Sequence, residues 1–260
     1  MADRMDLDSR ARLTRAGAIA TITLDRPESY NVIDRAMAAR LRDLAIDVAG
    51  DPEIRALIVR GAGPAFCGGG DIRYFVSNLD AIGDSIRHLL DAYHAFLELL
   101  VEMPKLTIAS VHGAAAGAGL SLAAMCDFCV VSDDARFTPA YAKLGVSPDG
   151  GGTYGLARAV GPRRALQILL GESSFSATQA LEWGLAARVF PAADLEAETL
   201  AYAEKLVRTS PEAIANTKRL LRVSSQAGLH DHLIDEMESL IRCMDTPMFE
   251  QAIDAFVKKA

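Results

Sequence analysis

The chain has 260 residues, half of them apolar and 23% charged, with 34 Asp and Glu against 27 Lys and Arg for a net charge of −7. That excludes a disordered segment and a small disulfide scaffold, and the length suits one α/β body with an appendage better than two equal domains. The acidic balance gives no basic field for releasing counterions from nucleic acid, so no nucleic-acid partner is expected.

Met1 to Arg10 alternates Asp3, Arg4, Asp6, Asp8 and Arg10 without an apolar run, which is not a signal peptide and points to the cytoplasm. The first ordered unit is then Ala18 to Leu24, a β-favouring run closed by Asp25-Arg26-Pro27. Apolar residues at Ile33, Met37, Leu41, Leu44 and Val48 recur at helical spacing until Gly50-Asp51-Pro52 stops them. Ile54 to Val59 is the next strand, and strand, helix, strand in that order implies a βαβ crossover with both sheet faces covered. Ile82 to Leu100 reads as a second long helix ending before Pro104.

Between Lys105 and Asp127 only His112 and Cys126 titrate, over a length that could cross a bilayer. The stretch is rich in Ala and Gly, with few large apolar residues, so the expectation is a buried strand and helix and no membrane span. Phe128 to Ser132 and Arg136 to Thr138 are β-rich, and Asp149 to Gly152 is a turn. Beyond Gly161 nearly everything is helical in pattern, with one short strand at Arg188 to Phe190. The chain divides into an α/β core over 1–195 and a helical region over 196–260. The latter is too small to hold a core alone, so it must pack on the body or on a neighbouring subunit.

The cysteines, Cys67, Cys126, Cys129 and Cys243, lack secreted-type spacing, and the lone Cys126-x-x-Cys129 has no second pair to complete a zinc site. Cys126 and Cys129 are expected to be small core residues. The histidines show no zinc-ligand pattern, and no Gly-x-Ser-x-Gly elbow occurs.

Three segments could carry chemistry. In Ala65-Phe66-Cys67-Gly68-Gly69-Gly70-Asp71 the glycines leave the backbone bare, so its N–H groups can approach a ligand oxygen, and Asp71 can cap a following helix. An ordinary loop needing positive φ explains them as well. Val111 to Gly119 runs from a strand into a helix start whose unpaired N–H donors suit an oxyanion. Close helix-strand packing would ask for the same small residues. In Val146-Ser147-Pro148-Asp149-Gly150-Gly151-Gly152 the carboxylate is either a helix cap or, beside two N–H-rich loops, a general base.

Taken together, and with Ile19 to Pro27, Lys105 to Asp127, Ala135 to Gly161 and Ala180 to Leu185, these segments resemble the crotonase superfamily, the enoyl-CoA hydratase/isomerase family. The resemblance implies a spiral of ββα units with a helical C-terminal region used for trimerisation, often as a dimer of trimers. It also implies an acyl-CoA thioester substrate and no cofactor, coenzyme A being part of the substrate. The oxyanion hole would be the backbone N–H groups of Gly70 and Ala118. Arg26, Gly68 and Gly70 would lie along the coenzyme A moiety, with Arg26 and Lys258 or Lys259 as cations for its phosphates.

Hydratases similar to this chain use two glutamates, and those positions here hold Ser121 and Tyr141. Asp149 matches instead the catalytic Asp of members like 1,2-epoxyphenylacetyl-CoA isomerase of phenylacetate breakdown and 4-chlorobenzoyl-CoA dehalogenase. The resemblance therefore favours an isomerase, with Asp149 as acid/base and Ser121 and Tyr141 at the substrate. The alternatives are hydration by a single-carboxylate variant, with water held by Asp149 and Ser121 or Tyr141, and a non-catalytic acyl-CoA-binding role. A dehalogenase would also need a Trp and a His that the motifs do not place.

Overall fold

The computed structural model describes residues 10–257. Met1 to Ser9 and Lys258 to Ala260 lie outside the described residues, and with them most of the N-terminal segment and both lysines suggested for the phosphates.

Order begins earlier than the hydrophobic pattern suggests. A strand β1 (Ala11–Ala16) precedes β2 (Ile19–Leu24) and pairs with it antiparallel, Ala11 opposite Leu24. Ala11 is its only buried residue and two arginines sit on it, so no apolar run announces it. From β2 onward the main sheet is parallel: β3 (Ala56–Gly61), β5 (Leu106–Val111), β7 (Phe128–Ser132) and β10 (Arg188–Phe190) complete the order β1-β2-β3-β5-β7-β10. A second sheet holds β4 (Ala65–Cys67), β6 (Ala114–Ala116), β8 (Arg136–Thr138) and β9 (Phe175–Ser176) in the order β4-β6-β8-β9. Ala65 to Cys67, expected in a loop, is thus a strand, and the glycines that follow it leave from a sheet edge.

Alternation along the main sheet sorts its side chains between two cores. Leu57, Val59, Ala109 and Val111 face a large core shared with α1 (Arg35–Gly50), α3 (Ile82–Glu102) and α4 (Ala118–Met125). Phe66, Phe96, Phe137 and Phe175 are fully buried there, each contributing roughly 1.5–3 kcal/mol by leaving water. Ala56, Ile58, Leu106, Ile108 and Val130 point the other way, onto Leu195 and Ala203 of α8 (Leu195–Leu206) and Ile214 of α9 (Pro211–Val223). Both faces are covered, as the strand-helix-strand order requires.

The helical region therefore divides. α8 and α9 belong physically to the body, whereas α10 (Leu229–Met244) and α11 (Pro247–Val257) hold an apolar stripe in solvent. Arg219 on α9 ties α10 down through two bonds to Asp235, at 2.7 and 2.6 Å.

The stretch from Lys105 to Asp127 forms β5, β6 and α4, and no helix of the described residues is long and apolar enough to cross a membrane. Cys129 is buried in β7, but Cys126 is only half-buried. Burial pushes the Cys129 and Cys67 thiols up to about 12 and the Cys126 thiol up as well. All three stay protonated, and poorly nucleophilic, near neutral pH.

Candidate active site

Parallel pairing of β4 with β6 sets Cys67 beside Ala115, and the two chains stay close beyond the strands. A Cβ on Gly69, whose φ is +100°, would stand 2.8 Å from the Ala116 carbonyl oxygen and 3.4 Å from the Ala118 nitrogen. Only glycine allows the two backbones to come so close.

Three consecutive N–H groups here have different fates. That of Gly68 donates to the Tyr30 carbonyl at 2.7 Å, and that of Gly69 to the Cys67 sulfur at 3.4 Å. Gly70 takes part in a parallel bridge with Ile33, in which Ile33 donates to the Gly69 carbonyl and Asp71 donates to the Ile33 carbonyl. Such a bridge turns the N–H of Gly70 itself away from its partner strand, and it donates to no group among the described residues. Ala118 opens α4, and its N–H, like others of a first helical turn, has no intrahelical acceptor. The phenyl ring of Phe75 in α2 (Ile72–Val76) lies over Gly70, where a Cβ would be 2.7 Å from its Cζ. Asp71 caps that helix, accepting from the Arg73 and Tyr74 N–H groups at 3.0 and 3.3 Å.

Asp149 lies on a turn packed against Ser121 of α4. The turn carrying it is threaded by glycines: a Cβ on Gly150 would meet the Tyr93 ring at 2.9 Å, and one on Gly152 the Ser121 hydroxyl at 2.5 Å. Gly151, at φ +76°, is packed against Met125. Asp149 is not a helix cap. The N-cap of α5 (Gly152–Val160) is Gly151, and it is the backbone carbonyl of Asp149, not its carboxylate, that receives the Gly152 N–H. The carboxylate instead accepts from the Tyr141 hydroxyl at 2.7 Å, and Tyr141 lies 2.9 Å from the Ser121 hydroxyl. Ser121 and Tyr141 are 1% and 8% exposed, while Asp149 is half-buried and reaches solvent. Burial and the charge of Asp149 push the Tyr141 phenol well above its ordinary value, so it remains a hydrogen-bond donor across the physiological range.

Arg26, expected along the coenzyme A moiety, is held inside the fold by its neighbours. Its guanidinium pairs with Asp34 at 3.2 Å and Asp71 at 3.1 Å and donates to the Val32 carbonyl at 2.9 Å. Two carboxylates pair with that cation, and one of them, Asp34, also pairs with Arg10 at 3.0 Å. Gly68, with its N–H held by Tyr30, shapes the same loop.

Two residues escaped sequence reasoning. Asn31, fully buried at φ 56°, donates to the Ala62 and Ala65 carbonyls at 2.9 and 2.8 Å and accepts from the Arg26 N–H at 2.8 Å, which fastens the loop after β2 to β4. Asn tolerates the left-handed region better than most residues, and Asn after the Pro27 turn was the available signal. Tyr93 on α3 donates its hydroxyl to the Ala118 carbonyl at 3.2 Å, bracing the start of α4.

The family model described as enoyl-CoA hydratase/isomerase matches residues 14–260. The chain belongs to the enoyl-CoA hydratase/isomerase family.

Among its relatives, trans-2-decenoyl-[acyl-carrier-protein] isomerase of Streptococcus mutans is 31% identical over 93% of this chain and 92% of its own length. 4-chlorobenzoyl coenzyme A dehalogenase-2 of an Arthrobacter species is 27% identical over 97% of this chain and 92% of its own. The crystal structure of an enoyl-CoA hydratase from Polaromonas sp. JS666 superposes with a TM-score of 0.91 at 32% identity, covering 96% of this chain and 97% of that one. The fold is that of this family, and family membership by itself leaves hydratase and isomerase chemistry both open. Trp183, the one tryptophan, packs on Phe175 and under the Arg164 guanidinium, within the fold.

Proposed function

We propose that this protein is an acyl-CoA isomerase that moves a double bond from Δ3 to Δ2, or rearranges an epoxide or ring acyl group, through a thioester enolate. One observation carries the reading. Among the described residues Asp149 is the one carboxylate bonded to the Tyr141 hydroxyl, which is bonded in turn to Ser121, and both hydroxyls are buried. A single carboxylate suits a proton shift. Hydration by a glutamate pair would need two carboxylates, one activating water and the other protonating carbon.

In this reading the Gly70 and Ala118 N–H groups hold the thioester oxygen as negative charge builds on it, each donor being worth roughly 3–4 kcal/mol in the transition state. Asp149 takes a proton from the α-carbon or γ-carbon, the electron pair of that C–H bond delocalises into the dienolate, and the protonated Asp149 returns the proton two carbons away. Nothing is gained or lost in mass. The relative from Streptococcus mutans, an isomerase of an unsaturated acyl thioester by its name, supports this choice. The half-exposed stripe on α10 and α11 supports a homotrimer or a dimer of trimers, in which a neighbouring copy covers it.

The test uses purified protein with a 3-enoyl-CoA and, separately, a 2-enoyl-CoA, with double-bond conjugation and product mass followed for wild type and Asp149→Asn. Conversion of the 3-enoyl to the 2-enoyl thioester, falling at least about a hundredfold in the variant, is the expected outcome. A product heavier by one water would establish hydration instead. Unchanged acyl-CoA affinity with no turnover by the wild type would leave a binding role.

A further inference from the structure

We infer that Tyr141 is the positioning residue of the Asp149 acid/base, the middle link of a directed hydrogen-bond chain that runs from Ser121 through Tyr141 to one carboxylate oxygen and leaves the other oxygen for the substrate. The inference rests on the proton-shift reading above and adds to it a role for a residue that touches the carboxylate rather than the substrate.

The direction follows from counting protons. A phenol has one hydrogen. Tyr141 lies 2.7 Å from Asp149 Oδ1, 3.3 Å from the Asp149 backbone carbonyl and 2.9 Å from Ser121 Oγ. The short contact to a charged oxygen takes the proton, because a charge-assisted hydrogen bond is the shorter and stronger kind. Ser121 must then be the donor to the Tyr141 oxygen, since two acceptors cannot face one another at that distance. Both hydroxyls are enclosed, which fixes their partners, and the phenol is held protonated by burial and by the neighbouring negative charge. Ser121 is itself closely packed: a Cβ on Gly152 would stand 2.5 Å from its hydroxyl and one on Gly150 3.7 Å from its Cβ.

Oδ1 is therefore anchored, and Oδ2 is the oxygen that can approach substrate carbon. When a C–H bond breaks, its proton goes to Oδ2 and its electron pair to the enolate; Tyr141 keeps its own proton and its bond to Oδ1 throughout. On return, the Oδ2–H bond breaks and a C–H bond forms at the second carbon. A carboxylate free to rotate would present either oxygen at varying angles, and loss of that alignment slows proton transfer without weakening substrate binding. The titratable groups facing Asp149 besides Tyr141 include Tyr93 from α3, whose phenol is also pushed up by burial and stays neutral.

The experiment compares wild type with Tyr141→Phe, Ser121→Ala and Asp149→Asn by steady-state kinetics on the 3-enoyl-CoA and by proton NMR of the protein without substrate. The expected result is a kcat about tenfold lower in Tyr141→Phe with KM within about twofold of wild type, and a smaller loss in Ser121→Ala. A downfield hydroxyl proton resonance on ring-labelled tyrosine should be present in the wild type, absent in Tyr141→Phe and moved upfield in Asp149→Asn. A Tyr141→Phe enzyme with wild-type kcat, or a rise in KM at constant kcat, would overturn the positioning role. So would a hydroxyl resonance indifferent to Asp149→Asn, a measurement that stands even if Tyr141→Phe fails to fold. If no thioester is turned over by the wild type the proton-shift reading fails, while the resonance still decides whether the hydrogen-bond chain exists.

Discussion

At the Asp149 turn, Gly150, Gly151 and Gly152 stand against Tyr93, Met125 and Ser121 so closely that a single Cβ would collide, and the enclosed hydroxyls each have a hydrogen-bond partner. Along α10 the situation is reversed: Leu229, Leu233, Met237, Leu240, Ile241 and Met244 are each more than two-fifths exposed, and only Ser239 is buried. The first region is packed by this chain's own residues. The second has apolar surface without a partner, so its stability and its purpose depend on what covers it. Substitutions should therefore register as lost activity or lost folding in the one and as changed assembly in the other.

Packing at the site should fail first. Gly119 in α4 lies directly against the Cys67 carbonyl oxygen, which is backbone and cannot move aside. Gly119→Ala should lower stability by roughly 1–3 kcal/mol through overpacking, measured as the shift in a denaturant midpoint at unchanged slope. It should also reduce turnover, because Cys67 leads into the Gly70 N–H. In the other region, replacing Leu233 and Leu240 together by Glu should cost a monomer little, since surface changes usually stay within about 0.5 kcal/mol. Sedimentation should nonetheless show the assembly dissociating towards the 27.8 kDa chain. A wild type that sediments as a monomer would break this half of the comparison.

A smaller effect concerns the junction between the two regions. The Arg219 guanidinium holds the Asp235 carboxyl below the usual carboxylate range. A group held low in the folded state stabilises above its ordinary value and loses that contribution as pH falls through the lowered one. The attachment of α10 to α9 should therefore loosen on acidification below the ordinary carboxylate value, seen as faster amide exchange in 229–244. Because the pair is open to solvent, added salt should weaken it at neutral pH as well. Asp235→Asn should remove the pH dependence.

Much of the body was legible because buried parallel strands read as continuous apolar runs: Phe128 to Ser132 coincides with β7. β1 was not, since an edge strand with one buried residue has no pattern to read, and β9 has only two residues. The three chemical segments were recognisable one at a time from glycine and from Asp149. What the residues could not announce is that Ser121 and Tyr141, twenty positions apart, join end to end on Asp149. That juxtaposition is made by α4 lying against the turn, a tertiary fact. The ion pair of Arg26 with Asp71, 45 residues away, was hidden for the same reason.

The central claim, a single carboxylate that moves one proton within the substrate, is tested most directly by running the wild-type enzyme on a protiated 3-enoyl-CoA in deuterium oxide and weighing the 2-enoyl product at early times. The account predicts a product carrying less than one deuterium on average, because Asp149 returns part of the substrate's own proton before it exchanges. A product that has gained the mass of deuterium oxide would contradict it.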